Sequence, residues 1–359
     1  MNRELENISP STFKFSSNHS SPAAKWRRRS RTIPALVLAF ALTWLLLPAL
    51  LIVTFFRDLI RDRTLPTVRL TVFGAWWLSM ELLGVLTAFF FWLIFAPPKK
   101  LQSDRSQRWH SRLQRTWARS LAWGARFTIR LRWSTEGLDC LHRSGPIVVL
   151  ARHGSQGDAL LAAALLSGEG RRLRFVLKQQ LLTDPCLDVV GHRIPNYFVN
   201  RDSVNNQEEL QNINLLAEDL DQDEALIIFP EGTRFSQEKL AAALLNLHET
   251  SPLRTATVAN LRSVLPVRTA GTLAVLSASK ADIVICNHVG ISDISSLQEL
   301  RDEVPLRNPL RFKLSRVPRK EMPEVSDEVA VTQWLDDRWI EVDEWVTKNE
   351  NASLPKTWN

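Results

Sequence analysis

Two long apolar runs near the N-terminus constrain the fold of this chain more than any other feature of its sequence. Residues 33–56 carry no charge over about 24 positions, which is enough to cross the hydrocarbon core of a bilayer. Residues 70–96 contain one ionisable side chain, Glu81. Pro34 and Pro48 interrupt the first run, but proline is tolerated in membrane helices. We therefore predict an N-terminal pair of membrane helices.

The segments that flank these runs predict a helical hairpin with both ends in the cytoplasm. Basic residues are dense at 25–31 and at 99–119, whereas in the connecting residues 57–69 two aspartates partly offset four arginines. Positively charged flanks favour the cytoplasmic side, either of a bacterial inner membrane or of the endoplasmic reticulum. The alternative is a re-entrant pair that dips into one leaflet. A cleaved signal peptide fits poorly, because the first run begins late and a second run follows it.

Charge and cysteine usage narrow the class of partner. The formal net charge of +7 favours anionic partners. Because much of this excess lies beside the apolar runs, we expect a phospholipid bilayer as partner and not a nucleic acid. Cys140, Cys186 and Cys286 are far apart and form no C-x-x-C pair, so we expect neither a disulfide framework nor a metal site.

The sequence divides into five segments. Residues 1–24 are rich in Ser and Asn and are predicted to be a disordered tail, followed by the membrane anchor at 25–98. The basic, Trp-bearing stretch 99–127 predicts a linker helix that lies either at the membrane interface or with one face on the core. Residues 128–320 alternate strands with helices, which predicts an α/β domain with a mixed sheet covered by helices. Residues 321–359 predict a C-terminal amphipathic helix and tail.

Several strands of the α/β segment can be placed from their patterns. Residues 147–150 and 225–229 are short apolar runs typical of buried strands. Residues 127–134 alternate apolar and basic side chains, which predicts a half-buried strand. Residues 264–267 also predict a strand, and residues 310–317 resemble an edge strand.

The first candidate site is an H-x4-D motif, His153 and Asp158, that directly follows the buried strand at 147–150. Open α/β sheets place ligands at the carboxyl ends of their strands. Side chains five residues apart on one helix diverge, so these two can touch only if His153 lies on the turn before the helix. A histidine held by a carboxylate is suited to take a proton from an alcohol. The alternative is that Asp158 only caps the helix.

The second candidate site is the string Phe-Pro-Glu-Gly-Thr-Arg at residues 229–234, which follows the other buried strand. The planar guanidinium of Arg234 suits a phosphate group. Gly232 permits a tight backbone path, and Glu231 either anchors the loop or bonds a substrate hydroxyl. The alternative is a plain turn between a strand and a helix, with a solvated Glu and Arg.

In this order, the motifs resemble those of the glycerolipid acyltransferase family, specifically the 1-acylglycerol-3-phosphate (lysophosphatidate) acyltransferases. The H-x4-D motif corresponds to the first of four blocks, residues 197–201 to the second, residues 229–234 to the third and residues 264–266 to the fourth. The chain departs from the family at Arg152, where Asn is usual, and at Gly157, where an aromatic residue is common. The resemblance implies the glycerolipid acyltransferase fold behind the membrane hairpin.

The resemblance also implies a reaction and roles for individual residues. His153 would act as general base on the free hydroxyl of lysophosphatidate, oriented by Asp158, and phosphatidate would be the product. The acyl donor would be acyl-CoA or an acyl carrier protein, attacked directly, with no bound cofactor and no metal. Arg201 and Arg234 would bind the acceptor phosphate. The residues expected to shape this pocket are Glu231, Gly232, Thr233 and Pro266.

Three other functions are compatible with parts of this pattern. The acceptor of the same chemistry can be another lysophospholipid or glycerol-3-phosphate. A non-catalytic, membrane-anchored regulator that binds lipid or RNA would use the basic segments but would not need His153, Asp158 and Arg234. A hydrolase that uses Ser155 and His153 fits poorly, because the sequence has no G-x-S-x-G elbow.

Overall fold

Two long helices lead into a helix-covered sheet. The computed structural model describes residues 21–97, 100–200, 206–291 and 296–351. Helices α1 (Pro22–Arg61) and α2 (Pro66–Phe95) pack against each other, and both are long and apolar enough to cross a membrane. At the turn between them, the Asp58 carboxylate accepts backbone N–H bonds from Thr67 and Val68 at 2.7 and 3.0 Å. This buried carboxylate stabilises the hairpin.

The N-terminal end of α1 is fixed to the rest of the protein. Of the tail predicted at 1–24, residues 1–20 lie outside the described residues, and the last three form the start of α1. Ser21 caps this helix by accepting a bond from the Ala24 N–H at 3.2 Å. Arg28 and Arg29 both bond the buried carboxylate of Asp188, with the shortest distance 2.8 Å.

Seven strands form one mixed sheet. The strands are β1 (Trp133–Glu136), β2 (Ile147–Ala151), β3 (Arg172–Lys178), β4 (Asn196–Val199), β5 (Glu224–Ile228), β6 (Asp282–Val289) and β7 (Leu310–Val317). Their order across the sheet is β1-β7-β6-β2-β5-β3-β4. All neighbouring pairs are parallel except β6 and β7, which are antiparallel.

Nine further helices connect and cover these strands in the described part of the chain. They are α3 (Asp104–Thr128), α4 (Asp158–Gly168), α5 (Pro185–Gly191), α6 (Asn206–Ala217), α7 (Gln237–Thr250), α8 (Pro252–Val258), α9 (Thr269–Ala278), α10 (Leu297–Glu303) and α11 (Glu328–Asn351). In β2, Val148 and Leu150 face a core shared with α6, α9 and α11, whereas Ile147 and Val149 face α3 and α4. Both faces of the sheet are therefore buried, as predicted.

Helix α3 packs one face on the core, which was one of the two alternatives for the basic stretch at 99–127. Ala118, Leu121 and Ala125 of this helix are buried. Trp117 donates its indole N–H to Glu81 of α2 at 3.1 Å, so Glu81 is buried against the neighbouring helices. Contact of the opposite face of α3 with a bilayer stays a prediction.

Two strand predictions were wrong, and so was the edge position expected for a third strand. Residues 127–134 do not form one strand, because α3 continues to Thr128 and β1 begins at Trp133. Residues 264–267 form a loop, since side chains of Asp343 and Glu231 accept the N–H groups of this segment in place of a neighbouring strand. Residues 310–317 form a strand, β7, but it pairs with β1 on one side and β6 on the other and is not at the edge.

Candidate active site

The two candidate motifs meet at one edge of the sheet. Strands β2 and β5 are parallel neighbours, with Leu150 opposite Ile228, so the loops that follow them emerge side by side. The N–H of Phe235 donates to the carbonyl of His153 at 2.9 Å. The N–H of His153 donates to Glu231 Oε1 at 2.7 Å. Motifs far apart in sequence thus form one site at the carboxyl ends of these strands, as parallel α/β sheets favour.

His153 and Asp158 are in direct contact. His153 Nδ1 lies 3.1 Å from Asp158 Oδ2, and the ring stands 4.8 Å from that of Phe229 between centroids. Asp158 is the first residue of α4, and His153 lies on the turn before this helix, as the spacing required. Ser155 fixes the carboxylate further, since its N–H donates to Oδ2 at 2.8 Å and its hydroxyl donates to Oδ1.

These contacts keep Asp158 ionised. Burial by itself would raise the pKa of this carboxyl, but the charge of His288 and hydrogen bonds from His153 and Ser155 hold the pKa well below its ordinary value. An ionised Asp158 can accept the proton on His153 Nδ1 and stabilise the ring when it becomes charged. The site therefore contains an imidazole whose Nδ1 is held by a carboxylate and whose Nε2 can accept a proton.

Glu231 joins the two motif loops to the loop of residues 264–267. Its side chain is fully buried, and its two oxygens accept the N–H groups of His153 and Leu265, at 2.7 and 3.0 Å. Burial raises the pKa of Glu231 to about 8, although the charge of Arg152 and the two backbone donors act in the opposite direction. Of the two roles considered from sequence, this geometry supports the anchor of the loop.

The other residues expected to shape the pocket surround Glu231. Gly232 has φ +72°, and a Cβ at this position would lie 2.6 Å from Cδ of Arg268, so the backbone needs glycine here. Pro266 is buried in the loop that Glu231 anchors. Thr233 is partly exposed, with its hydroxyl 3.4 Å from the Lys239 amine.

His153 opens into a cavity of about 860 Å³. One part of its lining is apolar and comes from α2, α3, α4 and the sheet, with Trp77, Leu113, Trp117, Leu160, Phe175 and Leu177 among the residues. Another part carries the cationic side chains Lys178, Arg234 and Arg268. A cavity with these two kinds of wall suits a ligand that has a long apolar chain and an anionic group.

Arg268 is a candidate binding residue that the sequence analysis did not single out. The predicted phosphate ligands were Arg201 and Arg234; Arg201 lies outside the described residues, and Arg234 lines the cavity beside His153. Arg268 lines the same cavity, where its N–H donates to the carbonyl of Pro230 at 2.8 Å. In the described part of the chain, the guanidinium groups of Arg234 and Arg268 have no ion-pair partner. In the sequence, the only feature that pointed to Arg268 was its position just after the fourth block, residues 264–266.

Ser155 is not placed as a nucleophile. Its side chain is buried, its hydroxyl donates to Asp158, and it does not line the cavity in the part of the chain that the structure describes. Because His153 Nδ1 also faces Asp158, the serine and the histidine share one carboxylate and do not face each other. This arrangement argues against the hydrolase interpretation.

Comparison with known proteins identifies the domain that contains this site. The acyltransferase family model matches residues 132–268, a range that contains both motifs and ends at Arg268. Residues 132–268 therefore form a domain of the acyltransferase family, and this match supports acyltransferase activity, with an acyl donor and a lipid acceptor.

Other comparisons were made with curated proteins and with solved structures. No curated protein matches the sequence. Among solved structures, the chain is similar to the crystal structure of the 1-acyl-sn-glycerophosphate (LPA) acyltransferase PlsC from Thermotoga maritima. The identity is 14% and the TM-score 0.43, with 91% of this chain and 99% of that chain covered.

Proposed function

We propose that this acyltransferase moves a fatty acyl group from a thioester donor to the free hydroxyl of lysophosphatidate and forms phosphatidate. The observation that carries the proposal is the cavity of about 860 Å³, which brings the His153 imidazole, an apolar lining and two arginines together. Lysophosphatidate has a reactive hydroxyl between an acyl chain and a phosphate. Each of these groups has a matching part of the cavity wall.

The proposed reaction begins with proton transfer to His153. Nδ1 faces Asp158, which leaves Nε2 to take the proton of the acceptor hydroxyl. The oxygen then attacks the carbonyl carbon of the thioester, and the tetrahedral intermediate carries a negative charge on its carbonyl oxygen. When the C–S bond breaks, the thiolate leaves and takes the proton from His153. The products are the new ester and a free thiol, so no acyl-enzyme is needed.

The oxyanion of this tetrahedral intermediate needs a hydrogen-bond donor. We considered backbone amides near the start of α4 for this role. Two amides of this turn are already used, since Ser155 N–H donates to Asp158 and Gly157 N–H donates to the Ser155 hydroxyl at 3.2 Å. Neither of these two donors is therefore part of our proposal.

Arg234 and Arg268 would bind the acceptor phosphate. Both line the cavity that His153 opens into, and a guanidinium forms paired, charge-assisted bonds with phosphate oxygens. The apolar lining includes Trp77 of α2, one of the two helices long enough to cross a membrane. We propose that the acyl chains enter from the bilayer at this end, while acyl-CoA or an acyl carrier protein approaches from the water.

We expect the arginines to determine acceptor choice. In Arg234→Gln and Arg268→Gln, KM for lysophosphatidate should rise about 10–100-fold, because a charged hydrogen bond to the phosphate is lost. KM for the acyl donor should not change. The measurement is initial-rate kinetics of the purified protein in detergent, with long-chain acyl-CoA and with acyl carrier protein thioesters.

The acceptors in this experiment are lysophosphatidate, glycerol-3-phosphate, lysophosphatidylcholine and monoacylglycerol. Arg262→Gln is the matched control, because Arg262 is exposed on the preceding loop and does not line the cavity. Preference of the wild type for another acceptor would reassign the substrate within the same chemistry. A wild type that forms no product with any acceptor and either donor would favour the non-catalytic regulator.

A further inference from the structure

A second histidine lies on the opposite side of the Asp158 carboxylate from His153. His288 Nε2 is 3.1 Å from Asp158 Oδ1, whereas His153 Nδ1 is 3.1 Å from Oδ2. One carboxylate is thus held between two imidazoles, each next to a different oxygen. The sequence analysis did not single out His288, since nothing near it in the chain indicates the site.

The fold brings His288 to this position through long-range strand pairing. His288 belongs to β6, the neighbour of β2, and the register that pairs Ala151 with Cys286 places His288 just beyond the end of β2. The His288 carbonyl accepts a bond from Arg152 Nη1 at 2.7 Å. Because Arg152 directly precedes His153, the backbones that carry the two histidines are tied to each other.

Packing alone does not explain why this buried position is occupied by a histidine. Its side chain is buried against Phe312, with ring centroids 5.7 Å apart. In the part of the chain that the structure describes, Nδ1 has no hydrogen-bond partner, and the polar neighbour of Nε2 is Asp158 Oδ1 at 3.1 Å. A buried imidazole with one unsatisfied nitrogen is unfavourable, and phenylalanine would pack here without that cost. A role beyond packing is therefore indicated.

We propose that His288 is a positioning residue for acyl transfer. It holds the second oxygen of Asp158, so that the first oxygen stays directed at Nδ1 of His153 while His153 gains and loses its proton. The direction of the Asp158 pKa agrees with this role, because the charge of His288 is the first of the influences that lower it. The inference rests on the proposed role of His153 as the base.

The kinetic test compares His288→Phe with His288→Gln. The phenylalanine keeps the ring and removes its nitrogens, and we expect kcat to fall about 10–50-fold with little change in KM for either substrate. Glutamine can place an N–H near Asp158 Oδ1, so it should recover most of kcat. His110→Phe is the matched control: His110 is also buried with an unpartnered ring nitrogen, but it packs on Phe91 of α2 and is not among the side chains that act on Asp158.

A spectroscopic test is independent of turnover. In full-length protein labelled with 15N-histidine, the Nδ1–H signal of His153, assigned by its loss in His153→Gln, should weaken or shift in His288→Phe but not in His110→Phe. Should His288→Phe fail to fold, His288→Leu replaces it in both tests. Unchanged His153 signals together with unchanged kcat would overturn the proposal. If His288→Phe alters the His153 signal but the wild-type protein forms no product, the contact is supported and the proposed function is overturned instead.

Discussion

Replacement of Asp158 by asparagine is expected to reduce kcat about 10²–10⁴-fold, with KM for both substrates within a small factor of the wild type. Asparagine is nearly isosteric, but it has no charge with which to stabilise a protonated His153. Its amide nitrogen can also face Nδ1, which would favour the wrong tautomer of the imidazole. Because Asp158 contacts His153 and not the cavity, the loss should fall on the chemical step.

The measurement is steady-state kinetics of Asp158→Asn with saturating acyl donor, accompanied by a thermal unfolding curve. Ser155→Ala is a useful companion variant, because it removes one hydroxyl bond to Asp158 and keeps the carboxylate. We expect its kcat to lie between those of the wild type and Asp158→Asn. Full activity of Asp158→Asn would contradict the assignment of Asp158 as the residue that orients His153.

The second large effect is expected on stability, at Glu231. Replacement by alanine leaves the N–H groups of His153 and Leu265 buried without their acceptors, at a cost on the order of 2–5 kcal/mol in the free energy of unfolding. Activity should fall as well, since the backbone of His153 loses its anchor. The change in stability is measured by thermal or chemical unfolding in detergent.

Glu238→Ala serves as the control for Glu231→Ala. Glu238 is an exposed glutamate of α7, a few residues after Glu231, and its removal should leave the unfolding transition in place. A Glu231→Ala protein that unfolds like the wild type but loses activity would mean that Glu231 contacts the substrate. That result would favour the other role considered from sequence, a bond to a substrate hydroxyl.

Local patterns in the sequence were sufficient for much of the fold. Long apolar runs predicted α1 and α2, because backbone groups in a bilayer must be satisfied within a helix. Short apolar runs before the two motifs predicted β2 and β5, and both motifs were expected to follow buried strands, which the structure shows to be parallel neighbours. Helix geometry required that His153 lie on the turn before α4 if it was to touch Asp158, and the structure places it there.

Features that depend on contacts between distant segments were missed. Residues 264–267 have the composition of a strand, but side chains of Glu231 and Asp343 take their backbone donors. The edge position expected for β7 was wrong, because the sheet order follows from packing across the whole domain. The sequence analysis missed His288 and Arg268 for the same reason. Their proposed roles depend on strands and loops that are distant in sequence and approach them only in the folded protein.

The most direct test of the central proposal is phosphatidate formation from lysophosphatidate and a long-chain acyl-CoA, measured by mass spectrometry with the purified wild type and His153→Ala. We expect the wild type to form phosphatidate and the variant to be slower by about 10²–10⁴-fold, with an unchanged unfolding transition. Equal rates in the two proteins would contradict His153 as the general base and would require a different mechanism at this site.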